Sequence, residues 1–140
     1  MELPESIQAQ VDVLSEKSEI HFAAVQYEIC IELHEECWEL LPIPKEVYDD
    51  SYYVAEGLII LNMKVNNLTQ AKHWATILLT CDPDRIDSGE RDMWLGCIAY
   101  EEHKPDEAMK HFKVAFKKSK GRRFLGADNE QYYKFYLSQK

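Results

Sequence analysis

Leu95-Gly96, followed by Ala108, Phe112 and Ala115, is the pattern that most restricts what this chain can fold into. Two helices pack closely only where one of them presents a Gly or Ala at the crossing, because a larger side chain holds the axes apart. Leu95-Gly96 fits the first helix of such a pair. Ala108, Phe112 and Ala115 recur at a spacing of three to four and so share the inner face of the second. Lys104-Pro105-Asp106 supplies the break, since proline cannot continue a helix but can open one. Residues 89–122 are therefore predicted to form a helix–turn–helix in which Gly96 faces Ala108.

The pattern recurs upstream. In residues 52–85, Ala71 stands where Ala108 does, Asn66-Asn67 marks the turn, and Asp82-Pro83 ends the unit. Asn suits that turn because it tolerates the left-handed backbone that helix ends require. A more diverged copy, residues 18–51, ends near Leu41-Pro42 and carries Cys30 and Cys37 in the places of Ala108 and Ala115. Cysteine is small and readily buried, so it can fill an alanine site. The spacings are 41 residues from Cys30 to Ala71 and 37 from Ala71 to Ala108. The loops at Ile43–Asp50 and Asp84–Gly89 absorb the differences.

Across residues 18–122 the units resemble tetratricopeptide repeats, helix–turn–helix modules of about 34 residues. There are departures. The position of the family's leading Trp falls on Asp92, with Trp94 nearby, and that of its Tyr on Ala99, beside Tyr100. Its turn glycine is His103 in the last copy and Val25 in the first. The resemblance implies an all-α, right-handed solenoid of about three helical hairpins in a single domain, closed by a capping segment over residues 123–140. Such repeats usually bind other proteins.

Helical periodicity supports this without any family. Leu33, Cys37, Leu40 and Leu41 form one stripe, Trp74, Ile77, Leu78 and Cys81 another, and Trp94, Leu95, Ile98 and Ala99 a third. No stretch alternates with period two long enough for a sheet. Seven helices are predicted, near 5–23, 26–41, 51–65, 68–81, 88–103, 105–119 and 128–138. Asp128 is the expected N-cap of the last, and Tyr132, Tyr133, Phe135 and Tyr136 its packing surface. At 140 residues and 46% hydrophobic content, the chain can bury a sizeable core.

No apolar run approaches the ~20 residues of a membrane span. The acidic start, Met1-Glu2-Leu3-Pro4-Glu5, lacks the basic and apolar regions of a signal peptide. Cys30, Cys37, Cys81 and Cys97 form no CxxC pair and all sit on helical stripes, which suits reduced core thiols. A cytoplasmic protein is expected.

Charge is unevenly distributed. Residues 1–50 hold 13 acidic and 2 basic side chains, whereas residues 101–140 hold 6 acidic and 10 basic. Glu28, Glu32, Glu35, Glu36 and Glu39 fall on one face of the second helix. Like charges four apart repel by a few tenths of a kcal/mol each, at roughly 0.2–0.5, and a basic partner would relieve that; a solubilising face is the plainer alternative. Lys110, Lys113, Lys117, Lys118, Lys120, Arg122 and Arg123 form the basic end. Nucleic acid is not the expected ligand, because the chain carries a net charge of −9 and late-helix cations complement the helix dipole.

Cys30, His34 and Cys37 share a helix face and are all zinc-ligand types, but they lack a fourth ligand and the usual short cysteine spacing, which favours packing. Glu107 and His111, with His103 near the turn, suggest an acid–base or metal pair without a converging third group. Ser88-Gly89-Glu90 reads as a loop entering a helix. A P-loop, a dinucleotide fingerprint and an HExxH motif are all lacking. No enzymatic activity, cofactor or metal is expected.

The family resemblance implies a concave surface lined by the first helix of each hairpin. Carried over, its candidates are Tyr53, Glu56, Ile60, Met63 and Lys64, then Glu90, Met93, Cys97, Tyr100 and Glu101. Some members clamp a C-terminal carboxylate there with Lys, Arg and Asn. Here only Lys64 is basic, and Glu56, Glu90 and Glu101 would repel a carboxylate, so an apolar or basic protein segment fits better. The leading expectation is a protein that sequesters or inhibits a basic partner, similar to bacterial immunity proteins or secretion chaperones. A self-assembling scaffold, with homo-oligomers stacked acidic end to basic end, is the alternative. A metal-dependent or hydrolytic protein is a second.

Overall fold

The computed structural model describes residues 1–140, which form seven α-helices and no strand. These are α1 (Glu5–Ala23), α2 (Tyr27–Leu40), α3 (Asp49–Lys64), α4 (Leu68–Leu78), α5 (Glu90–Glu101), α6 (Pro105–Ser119) and α7 (Glu130–Gln139). Single 3-10 turns at Lys45–Val47, Arg122–Phe124 and Ala127–Asn129 lie in the connections. The helices pair as hairpins, α1 with α2, α3 with α4 and α5 with α6, and α2 also packs on α3. Two compact units result, Met1–Arg85 and Ile86–Lys140. The first hairpin begins at Glu5, ahead of the expected boundary at residue 18, because nothing after Pro4 interrupts α1 before the turn at Val25.

All three hairpins turn by the same hydrogen-bond pattern. Val25, Asn66 and His103 take left-handed backbone, with φ of 60°, 58° and 62°. The next residues, Gln26, Asn67 and Lys104, donate their N–H to the carbonyls of His21, Asn62 and Ala99 at 2.9, 2.8 and 2.9 Å. That bond satisfies a carbonyl the ending helix would otherwise leave bare, and it requires the left-handed residue. Cys30, Ala71 and Ala108 then donate back to Gln26, Asn67 and Lys104, opening the second helix. Asn67 adds a side-chain cap, accepting from the Gln70 N–H at 3.2 Å, and Pro105 opens α6 at its first position.

Cys30, Ala71 and Ala108 are each fully buried, as are Cys37, Leu78 and Ala115 one register further on. Small side chains at the first of these sites let each pair of helices approach. In unit 2 the seam is close at Gly96. A Cβ built there would lie 2.5 Å from Cδ1 and Cε1 of Phe112, so the Phe112 ring is its nearest neighbour. Phe112 is one turn on from Ala108 on the same face of α6, and its ring reaches into the space glycine leaves. Gly57 plays the corresponding role between α3 and α2, where a Cβ would lie 2.6 Å from His34 Nε2.

The core of unit 2 is aromatic. Tyr136 stacks on Phe116 and packs on Phe124, each at 5.1 Å between ring centroids, and Tyr133 meets Phe124 at 5.5 Å. Tyr132 and Phe135 close over Tyr100 at 5.3 and 5.0 Å. Asp128 does not cap α7. It lies within the last 3-10 turn, and Asn129, the residue before the helix, donates its side-chain amide to the Arg123 carbonyl at 2.8 Å.

Candidate functional site

A groove of about 1000 Å³ runs along α1 and α2 in unit 1. Ala9, Val13 and Leu14 of α1 and Leu40 of α2 form its floor. Glu32, Glu35, Glu36 and Glu39 rise along its α2 side. The geometry follows from helical spacing. Val11 and Ser18 of α1 and Cys30 and Cys37 of α2 are the buried residues of these helices. The Cys30 Sγ–H donates to the Ser18 carbonyl at 3.4 Å, and Cys37 lies 4.0 Å from the Val11 carbonyl. Those residues form the inward stripe. Val13 and Leu14, each four residues after Ala9 and Gln10, are left on a neighbouring face, and Val13 is 51% exposed.

All five glutamates of the acidic face, Glu28, Glu32, Glu35, Glu36 and Glu39, are exposed. None takes part in an ion pair. Four of them line the groove, and Glu28 continues the face beyond it. The nearest cation in sequence, Lys45, is used otherwise. Its Nζ donates to the Trp38, Glu39 and Leu41 carbonyls at 2.9, 3.3 and 2.7 Å, closing the C-terminal end of α2.

A second, smaller recess of about 390 Å³ lies between α1 and α3, lined by Ser15, Ser18, Phe22, Gly57 and Ile60, with His34 at its base. His34 Nδ1 is 3.0 Å from the Cys30 carbonyl and 3.2 Å from Ser18 Oγ. A carbonyl only accepts, so Nδ1 carries the hydrogen and Nε2 is the bare nitrogen facing Gly57. Burial pushes the His34 pKa below its usual 6.5, only partly offset by the bond to Cys30. The ring is a neutral packing element where three helices meet.

The residues proposed for a concave face divide by helix. On α3, Tyr53 and Lys64 are exposed, while Glu56, Ile60 and Met63 are half-buried. Tyr53 accepts from Arg85 Nη1 at 3.2 Å, and the Arg85 guanidinium lies 3.9 Å from the centre of the Tyr52 ring. On α5 the set is taken up inside unit 2. Met93 and Cys97 are buried, and burial pushes the Cys97 thiol pKa up. Tyr100 lies beneath Tyr132 and Phe135, and Glu101 accepts from the Tyr132 hydroxyl at 2.9 Å. Glu90 faces Arg123 Nη2 at 3.4 Å. The aromatic face of α7 thus packs on Tyr100 and holds Glu101, while Glu90, Tyr100 and Glu101 stay half-buried.

Several of the other chemistry-bearing residues have structural partners. Cys30 and Cys37 point to backbone carbonyls, and burial raises the Cys37 pKa to about 11. None of the four cysteines forms a disulfide, and all four are buried. Ser88 Oγ accepts from Arg123 at 2.7 Å within the clasp that holds the start of α5. In the same clasp Lys118 bridges Asp87 at 2.6 Å and Asp92 at 2.9 Å, which raises the Lys118 pKa and lowers that of Asp87. His103 is the left-handed turn residue before α6, and Glu107 and His111 are half-buried on that helix. No group of three or more His, Cys, Asp or Glu side chains is placed to hold a metal ion. No helix is long and apolar enough to cross a membrane.

The glutamate face is legible in the sequence, but the floor of the groove is not among its candidates. Ala9, Val13 and Leu14 carry a signal only as apolar residues displaced from the stripe through Val11 and Ser18. No protein-family model and no curated protein matches the chain.

Proposed function

We propose that this protein is a non-enzymatic binding module, built of diverged tetratricopeptide-like hairpins, that takes a basic amphipathic segment of another protein into the α1–α2 groove and thereby sequesters or inhibits it. The observation that carries this reading is the groove itself: an apolar floor open to solvent beside four glutamates that no cation neutralises. An apolar floor rewards an apolar partner face, at roughly 1.5–3 kcal/mol for each large side chain fully buried. The glutamates select cations and speed encounter. The repeated turn at Val25, Asn66 and His103 supports descent of the hairpins from one unit.

The test is a titration with a synthetic helical peptide carrying leucine on one face and lysine on the next. Wild type should bind it, and Val13→Asp, at an exposed position, should weaken binding by about tenfold, or about 1.4 kcal/mol, while the helical circular dichroism stays the same. Equal affinity for wild type and variant, or equal binding of a peptide with glutamate in place of lysine, would remove the reading.

A further inference from the structure

Unit 1 carries 16 acidic and 5 basic side chains, unit 2 carries 9 acidic and 11 basic. The surplus cations of unit 2 are ordered. Lys110, Lys113 and Lys117 are exposed on α6, and Val114 between them is 38% exposed. None of the three lysines forms an ion pair, in contrast to Lys118, which Asp87 and Asp92 hold.

The spacing of this face matches that of the groove. Lys110, Lys113, Val114 and Lys117 stand at i, i+3, i+4 and i+7, and Glu32, Glu35, Glu36 and Glu39 stand at i, i+3, i+4 and i+7. Residues so spaced line one side of a helix over two turns. Two helices laid side by side would thus set a row of three lysines against a row of four glutamates.

We infer that the groove accepts α6 of a second copy of this chain, so that copies associate head to tail. This rests on the reading of the groove as a docking site and names an occupant for it. Donor and acceptor surfaces differ, so the contact is heterologous. A joined pair keeps one free groove on one copy and one free α6 on the other, and association continues into rings or open chains. Asp106 and Glu107, the acidic residues one turn before Lys110, restrict the matching stretch to the later turns of α6. The attraction acts at contact distance, whereas the net charge of −9 repels at longer range. About 0.1 M salt, with a screening length of about 10 Å, suits association, and about 1 M, with about 3 Å, opposes it.

The experiment is sedimentation velocity on the full chain at both salt concentrations, with two charge-reversed variants. One carries Glu32→Lys, Glu35→Lys and Glu39→Lys; the other carries Lys110→Glu, Lys113→Glu and Lys117→Glu. All six positions are exposed, so both variants should fold, and circular dichroism checks this. Wild type should show concentration-dependent association at the lower salt that is lost at the higher. Each variant alone should be monomeric. An equimolar mixture of the two should associate again, because each variant's α6 then opposes the other's groove with the right charge. A wild type that stays monomeric at the lower salt, or a mixture that does not associate, overturns the inference. The peptide titration separates this from failure of the groove itself. A monomeric wild type that still binds the lysine peptide removes only the second copy as occupant, whereas one that binds neither removes the groove as well.

Discussion

Gly96 shows what a single position contributes and how far it can be read in advance. Its closeness to α6 is legible because a glycine inside a helical stripe has a packing reason more often than a conformational one. Its neighbour is not legible. Ala108 and Phe112 lie on the same face of α6, and only the three-dimensional crossing decides that the Phe112 ring lies against Gly96. Gly96→Val should therefore force that ring out of place and cost about 1–3 kcal/mol, measured as a fall in the urea midpoint. An unchanged midpoint would mean that the seam is looser than described. Cys30 and Cys37 are legible as small core residues for a similar reason. His34 is harder to read, since its neutral, half-buried state depends on the Ser18 and Gly57 surfaces that α1 and α3 bring to it.

At the scale of elements, all seven helices are legible from stripes and breakers, with ends displaced by a few residues. The errors have physical sources. α4 stops at Leu78 rather than at 81, and the residues beyond it form turns. Asp128 has the right chemistry for a cap, but the chain enters α7 through a 3-10 turn that places Asn129 there instead. The hairpin turns are the most informative elements. Asn66 suits a left-handed backbone, whereas Val25 does not, because its β-branched side chain crowds the carbonyl at positive φ. Val25 is 65% exposed, so its side chain returns little packing energy. Val25→Gly should stabilise the protein by about 1–2 kcal/mol, seen as a rise in denaturation midpoint. A loss of stability would show that the first hairpin does not turn as the other two do.

For the whole molecule, charge carries more information than composition does. The acidic excess of residues 1–50 is readable directly, and so is its alignment on α2. Its meaning depends on α1, which sets Ala9, Val13 and Leu14 beside the glutamates and turns a charged helix face into one side of an apolar groove. That juxtaposition brings together residues roughly 20 to 30 positions apart through the α1–α2 hairpin, so neither helix shows it alone. The α5 candidates for a concave surface illustrate the converse. Each is plausible along its own helix, yet α7, which follows much later in the chain, covers Tyr100 and Glu101.

The most direct measurement of the central claim is a map of amide chemical-shift changes as the lysine-bearing amphipathic peptide is titrated into the labelled protein. Changes should concentrate at Ala9, Val13, Leu14 and Leu40 and along Glu32–Glu39, and should shrink as salt screens the glutamates. Changes centred instead on Tyr53, Ile60 and Met63 of α3, with the α1–α2 residues unmoved, would contradict the assignment of the groove.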